Sequence, residues 1–267
     1  MPARLNVNRI QEDLHTKRFG KKIFFVEEVE STNEWATELA QYGTEEGTVA
    51  LAETQTQGRG RLDRKWVSPK GGLWFSIVLR PKLTVAEAAK LVFVAGLAVA
   101  EVLDEKYGLK VETKWPNDVL IGGRKVCGIL LEMRSVDEDV NFVVVGIGVN
   151  VNFRVERSFS AELRESATSI ENELGRKVKL DGFFKSLLER LESLYDSYLE
   201  FGFAPILSRW KRHAGFLGHK VVVATREEEL SGLALDIDDE GALVLKSETG
   251  VVKRVFVGDV LLQMSPM

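Results

Sequence analysis

Two stretches of the chain carry apolar residues at helical spacing. Over residues 180–199, Phe183, Phe184, Leu187, Leu188, Leu191, Leu194 and Tyr198 fall on one side of a helix. Asp181 near the start and Gly202 past the end are the expected boundary signals. Residues 85–105 carry a second helical pattern. Around these helices lie short runs of strand character at 23–26, 48–52, 73–79, 110–114, 126–132 and 142–147. The character changes near Gly215. Beyond it only short strand-like runs remain, at 220–224, 232–237, 242–245 and 251–257, with a turn at 238–241. The pattern predicts an α+β chain in two parts: a larger domain over 1–215 and a small β-barrel over 216–267. No internal repeat, low-complexity stretch or Pro/Ser-rich linker interrupts it.

Composition narrows the classes. The chain has 267 residues, 45% of them hydrophobic and 28% charged, enough to bury a full core. The net charge of -4 lacks the basic excess expected of a nucleic-acid binder. One cysteine, Cys127, excludes an internal disulfide framework, and His15, His213 and His219 are too scattered to spell a zinc motif. The longest apolar run, residues 91–100, is half of the ~20 residues a membrane helix needs, and the first twenty residues lack the apolar core of a signal peptide. A cytoplasmic protein is expected. Charge also divides near Gly215: from Phe216 onward there are five Lys/Arg against nine Asp/Glu, whereas the preceding part balances at 31 of each. An acidic barrel is poorly suited to phosphate, but it can face a basic partner or its own neighbouring domain.

Three segments carry candidate chemistry. In the run Gly58-Arg59-Gly60-Arg61-Leu62-Asp63-Arg64-Lys65-Trp66, glycines permit backbone N–H groups to face an anion and the cations attract one. Mutual repulsion of those cations predicts a loop that is mobile when nothing is bound; a plain solvated basic loop reads equally well. Lys114-Trp115-Pro116-Asn117-Asp118, followed by Gly122-Gly123-Arg124-Lys125, reads as strand, turn, glycine turn and strand. It would hold a carboxylate and a carboxamide at a strand end and send Lys125 into a pocket, or be a polar turn with a snorkelling lysine. Gly146-Ile147-Gly148-Val149-Asn150 ends a strand with glycines, which admits a flat ligand or marks a β-bulge. Cys127 reads as a packed core thiol.

Taken in order, Glu30-Ser31-Thr32-Asn33, Gln55 with Gly58-Arg59-Gly60-Arg61 and Trp66, Lys114-Trp115-Pro116-Asn117-Asp118, Lys125 with Gly128, and Gly146-Ile147-Gly148-Val149-Asn150 resemble the biotin protein ligases. The resemblance runs from about Phe24 to Gln263. It implies a mixed-sheet biotin/lipoate ligase-like catalytic domain with a C-terminal SH3-like barrel. It implies an enzyme that activates biotin with ATP to biotinyl-5'-AMP and passes the biotinyl group to a lysine of a biotin carboxyl carrier protein or carboxylase biotin domain.

The resemblance also implies roles. Lys125, Arg59, Arg61 and Asp118 become the catalytic candidates, with Mg2+ accompanying ATP. Ser31, Thr32, Asn33, Gln55, Arg59, Lys125, Gly128, Gly146 and Gly148 become the biotin candidates. Arg61, Trp66, Asn117 and Asn150 become the adenylate candidates. Asp118 would position a metal, the ligand or the acceptor lysine. A homodimer through the catalytic sheet is expected. Some members carry an N-terminal winged helix-turn-helix; with 30 residues before Ser31, none is expected here, nor is operator binding. Leu62-Asp63 stands where other members often carry a small or basic pair. Lipoate ligases and octanoyl transferases share the implied fold but lack the combined Gly-Arg-Gly-Arg and Lys-Trp-Pro-Asn-Asp signatures. A non-catalytic biotin sensor or nucleic-acid module would leave Lys125 and Asp118 without a purpose.

Overall fold

The computed structural model describes residues 5–225 and 227–262. The outermost residues of the two expected domains, 1–4 and 263–267, and Arg226 lie outside the described residues, as does the Gln263 end of the resemblance. In chain order the larger part runs α1 (Val7–Glu12), β1 (Ile23–Val29), α2 (Thr32–Gln41), β2 (Val49–Gln55), β3 (Leu73–Leu79), α3 (Val85–Ala89), α4 (Leu91–Tyr107), β4 (Val111–Lys114), β5 (Asp118–Ile121), β6 (Arg124–Val136) and β7 (Asp139–Val149). It continues through the short helices α5 (Val155–Ser158), α6 (Ala161–Ser166) and α7 (Ile170–Leu174) to α8 (Leu180–Phe201) and α9 (Phe203–Arg212). The last part is β8 (Lys220–Ala224), β9 (Glu229–Ile237), β10 (Leu243–Lys246), β11 (Val252–Val255) and β12 (Asp259–Leu262).

Strands β1 to β7 form one mixed sheet in the order β1-β2-β3-β7-β6-β5-β4, parallel only between β1 and β2. Alternation along the strands separates two faces. Phe75, Ile77, Val145, Ile147 and Ile129 pack toward α4 and α8. On the opposite face Ala50, Val78, Phe142 and Val144 pack under Ala36 and Ala40 of α2. Further along that second face β7 carries Gly146 and Gly148, and β6 carries Gly128 in register with Gly148. No side chain rises from these three positions, and beyond the cover of α2 a hollow opens on this face.

Strands β8 to β12 form an antiparallel sheet in the order β11-β10-β9-β8-β12, the small SH3-like unit. Its apolar residues, among them Val221, Val223, Ile237 and Leu243, join the same contiguous core as the larger part. Trp115 Nε1 donates to Gly241 O at 3.0 Å and Lys211 pairs with Asp236 at 2.6 Å across the junction.

Several elements differ from the sequence pattern. The single helix expected over 85–105 is two, because at Lys90 the backbone tightens: Lys90 N bonds to Glu87 O and Phe93 N to Lys90 O, each at 3.0 Å. The segment expected as turn and connection after Trp115 contains strand β5, whose four residues pair with β4 on one side and β6 on the other. The run expected as one strand over 251–257 ends at Val255, and a separate strand, β12, begins at Asp259. Gly122 and Gly123, with φ of 55° and 73°, make the two-residue hairpin between β5 and β6 that their sequence announced.

Candidate active site

The hollow on the second sheet face is a cavity of about 610 Å³, within the range of small-molecule sites. It gathers segments from the whole chain. All fourteen residues named from the resemblance, from Ser31 at the start of α2 to Asn150 after β7, line it. At one end stands a polar ladder. Gln55 Oε1 accepts from Thr32 N at 2.8 Å and from its hydroxyl at 3.0 Å, while Gln55 Nε2 donates to Ser68 Oγ at 2.8 Å. Ser76 Oγ lies 2.8 Å from Thr32 Oγ1 and 2.6 Å from Asn33 Oδ1. Ser31 caps α2 by position but makes no side-chain capping bond.

The three glycines do not leave the wall bare. A methyl group on Gly146 would sit 1.9 Å from Asn33 Oδ1, and one on Gly148 would sit 2.5 Å from Trp66 Nε1. On Gly128 it would stand 3.0 Å from the same Trp66 ring. The missing side chains therefore let Asn33 and the Trp66 indole approach the sheet backbone. Trp66 Nε1 is buried without a hydrogen-bond partner, and Lys125 Nζ lies 5.1 Å from the ring centroid.

At the other end Lys125 Nζ lies 2.6 Å from Asp118 Oδ1, and Lys114 Nζ lies 3.4 Å from Asp118 Oδ2. A register shift in the β5–β6 pairing sets Lys125 opposite Leu120. That bulge turns Lys125, next to the core residue Val126, back toward the cavity. Asn117 is held by backbone: Nδ2 donates to Ile129 O at 2.7 Å, and its Oδ1 accepts from Arg61 Nη1 at 3.2 Å. Asn150 Nδ2 donates to Thr168 O at 2.9 Å, leaving its buried Oδ1 without a partner.

The basic loop is folded as a hairpin. Gly60 N bonds to Arg64 O at 2.7 Å and Trp66 N to Gly58 O at 2.8 Å, with Leu62 and Asp63 at the tip in left-handed backbone, φ 54° and 59°. Acidic partners meet its arginines. Arg59 pairs with Glu34 and Glu132, each at 3.3 Å. Arg61 and Arg64 pair with Asp259 of the barrel at 3.4 Å and 2.5 Å. Burial pulls the Arg61 pKa below the usual guanidinium range, against the opposing pull of Asp259 and Asp118. An arginine still stays charged under those conditions.

Sequence reasoning missed Ser76, Lys114, Glu132 and Asp259 as members of this site. Ser76 had a signal, a lone polar residue inside the apolar strand Leu73–Leu79, and Lys114 stood inside a motif already singled out. Asp259 had only the acidic balance of its domain. Of the histidines, His219 is exposed, and His213 closes α9, its carbonyl accepting from Thr113 N at 2.9 Å. Cys127 is buried in the core.

The chain that builds this sheet, cavity and hairpin matches the model of the biotin/lipoate A/B protein ligase family over residues 25–150, and that of the biotin protein ligase C terminal domain over 216–262. The bifunctional ligase/repressor BirA of Bacillus subtilis is 36% identical over 260 residues, covering 97% of this chain and 79% of the relative. The biotin–[acetyl-CoA-carboxylase] ligase of Paracoccus denitrificans is 38% identical over 226 residues, covering 83% and 92%. A solved structure, the biotin protein ligase from Aquifex aeolicus in complex with biotin and ATP, superposes with a TM-score of 0.79 at 31% identity, covering 92% of this chain and all of that one. The chain belongs to the biotin protein ligase family.

Proposed function

We propose that this chain catalyses ATP-dependent biotinylation of a carrier protein. The observation that carries the reading is one cavity lined at one end by Thr32, Asn33 and Gln55, with Ser76 bonded behind them, and at the other by Lys125, Asp118 and Lys114, with the arginine hairpin as its lid. The Aquifex aeolicus relative, whose structure holds biotin and ATP, supports it.

In the first step a carboxylate oxygen of biotin attacks the α-phosphorus of ATP, and the bond to pyrophosphate breaks with its electron pair. The substrate is the nucleophile, so the protein's work is to align two anions and compensate charge. The ladder and Ser31 suit the uncharged polar ring of biotin, and Gly128, Gly146 and Gly148 admit the Asn33 amide and the Trp66 indole that wall it. Lys125 supplies charge at the phosphoryl group, helped by Arg59 and Arg61. Asn150 Oδ1 and Asn117 border the adenylate side, with Trp66 covering it. In the second step the acceptor lysine's amine attacks the acyl carbon and AMP leaves. Water must stay out of the site until then.

Among the described residues no three His, Cys, Asp or Glu gather to hold a metal ion. Mg2+ would arrive on the phosphates of ATP and would supply positive charge there. Asp118, already between two lysines, is best suited to holding Lys125 in place. A carboxylase biotin domain or biotin carboxyl carrier protein is the proposed acceptor. A homodimer through the catalytic sheet would pair one of its two edge strands, β1 or β4. Among the described residues no helix is long and apolar enough to cross a membrane, and an ATP-fed activity suits the cytoplasm.

The test is biotin-dependent exchange of labelled pyrophosphate into ATP, with Lys125→Ala beside the parent. Exchange in the parent, reduced ~10²–10³-fold in the variant, is the expected result. A folded, magnesium-supplied parent without exchange overturns the reading.

A further inference from the structure

Glu132 stands where the polar ladder meets the hairpin, and no role has been given to it. It lies on the cavity-side face of β6, two residues beyond Leu130. Its Oε2 accepts from Asn33 Nδ2 at 2.7 Å, while its two oxygens lie 3.3 and 3.4 Å from Arg59 Nη2. Asn33 is 4% exposed, and its Oδ1 lies 2.6 Å from Ser76 Oγ. Carboxylate and carbonyl oxygens only accept, so Glu132, together with Leu130 O at 3.2 Å, turns the Asn33 NH2 toward β6 and its oxygen toward Ser76. The same carboxylate, with Glu34, occupies the guanidinium that the proposed reaction needs for a substrate anion.

We infer that Glu132 is a positioning residue with two separable tasks: it orients the Asn33 amide for the biotin ring, and it parks Arg59 at the rim until a substrate carboxylate or phosphate takes its place. The inference rests on the reading of the cavity as a biotin and adenylate site. Solvent exposure makes the parking reversible. The side chains of Arg59 and Glu132 are 42% and 37% exposed, and an ion pair in water binds weakly. Arg59 therefore exchanges partners at little cost, whereas a buried pair would lock it away from the ligand.

The two tasks separate by substitution. Glu132→Gln keeps an oxygen for Asn33 and removes the charge that competes for Arg59. Biotin Kd by calorimetry, and biotin KM in the pyrophosphate exchange, should fall about two- to fivefold, the weight of an exposed ion pair. Glu132→Ala removes both contacts and should raise Kd and KM above the parent. In an Arg59→Gln background, the effect of Glu132→Gln on biotin Kd should vanish. Equal signs for Gln and Ala, or a Gln effect that persists without Arg59, overturn the inference while leaving the ligase reading intact. A parent without pyrophosphate exchange removes the ligase reading and this inference with it.

Discussion

Asp259 Oδ1 lies 3.4 Å from Arg61 Nη1, joining two residues 198 positions apart in sequence. The same carboxylate pairs with Arg64 at 2.5 Å, and the carbonyl of Gly258 accepts from Arg61 at 3.2 Å. The first residue of the last barrel strand thus holds the hairpin over the cavity.

Removing that carboxylate leaves two arginines near each other without their shared counter-charge. Asp259→Ala should destabilise the hairpin's closed position by about 1–3 kcal/mol. Labelled biotinyl-adenylate should then escape the site about tenfold faster or more. An off-rate equal to the parent's would show that the barrel does not hold the lid.

The glycines of β7 should fail differently from each other. Gly146→Ala drives a methyl into Asn33, and Gly148→Ala drives one into the Trp66 indole. Overpacking of this kind costs about 1–3 kcal/mol. Gly146→Ala should raise biotin KM with the Trp66 environment intact. Gly148→Ala should shift the tryptophan emission of the free protein. Identical emission spectra for Gly148→Ala and the parent would argue that Trp66 does not rest on the sheet.

The hairpin tip carries a local cost. Leu62 holds φ at 54°, a conformation that disfavours a side chain branched from Cβ outward and that asparagine tolerates. Leu62→Asn should steady the hairpin by up to ~1 kcal/mol, slowing tryptic cleavage after Arg61 and Arg64 about fivefold. Faster cleavage would mean that Leu62 contributes packing that outweighs its strain.

Cys127 lies between the cavity residues Lys125 and Gly128 but faces the core. Burial pushes its thiol pKa far up, with only partial opposition from Lys125. The folded protein should resist a thiol reagent at about pH 8 and react fully once unfolded. The buried form is the neutral thiol, so its contribution to stability is intact below the ordinary thiol range of about 8.5 and is lost as pH climbs toward the raised folded value. Rapid modification of the native protein would contradict this burial.

Much of the architecture was readable because its signals are local. The apolar face of α8, the seven-residue run of β3 and the Gly122-Gly123 hairpin each state their conformation within a few residues. Strand β5 is only four residues long and was not readable, since it becomes a strand by lying between β4 and β6. Helix α2 was hidden in another way: its first residues, Thr32 and Asn33, drew notice as ligand candidates while the helix that aims them went unread.

The amino-acid order by itself determined the apolar periodicity of the long helix and the order of the motifs, hence the resemblance to one enzyme family, and only that resemblance named the fourteen candidate site residues. Those features depend on periodicity and motif, which survive in one dimension. Only the tertiary structure decided that Asn33 and Trp66 fill the spaces left by Gly146 and Gly148, that Glu132 holds Arg59, and that Asp259 closes the barrel onto the hairpin. Each of these is a contact between residues far apart in sequence. Its strength depends on distance and burial after the sheet, helices and barrel have packed, and neither quantity exists before they do.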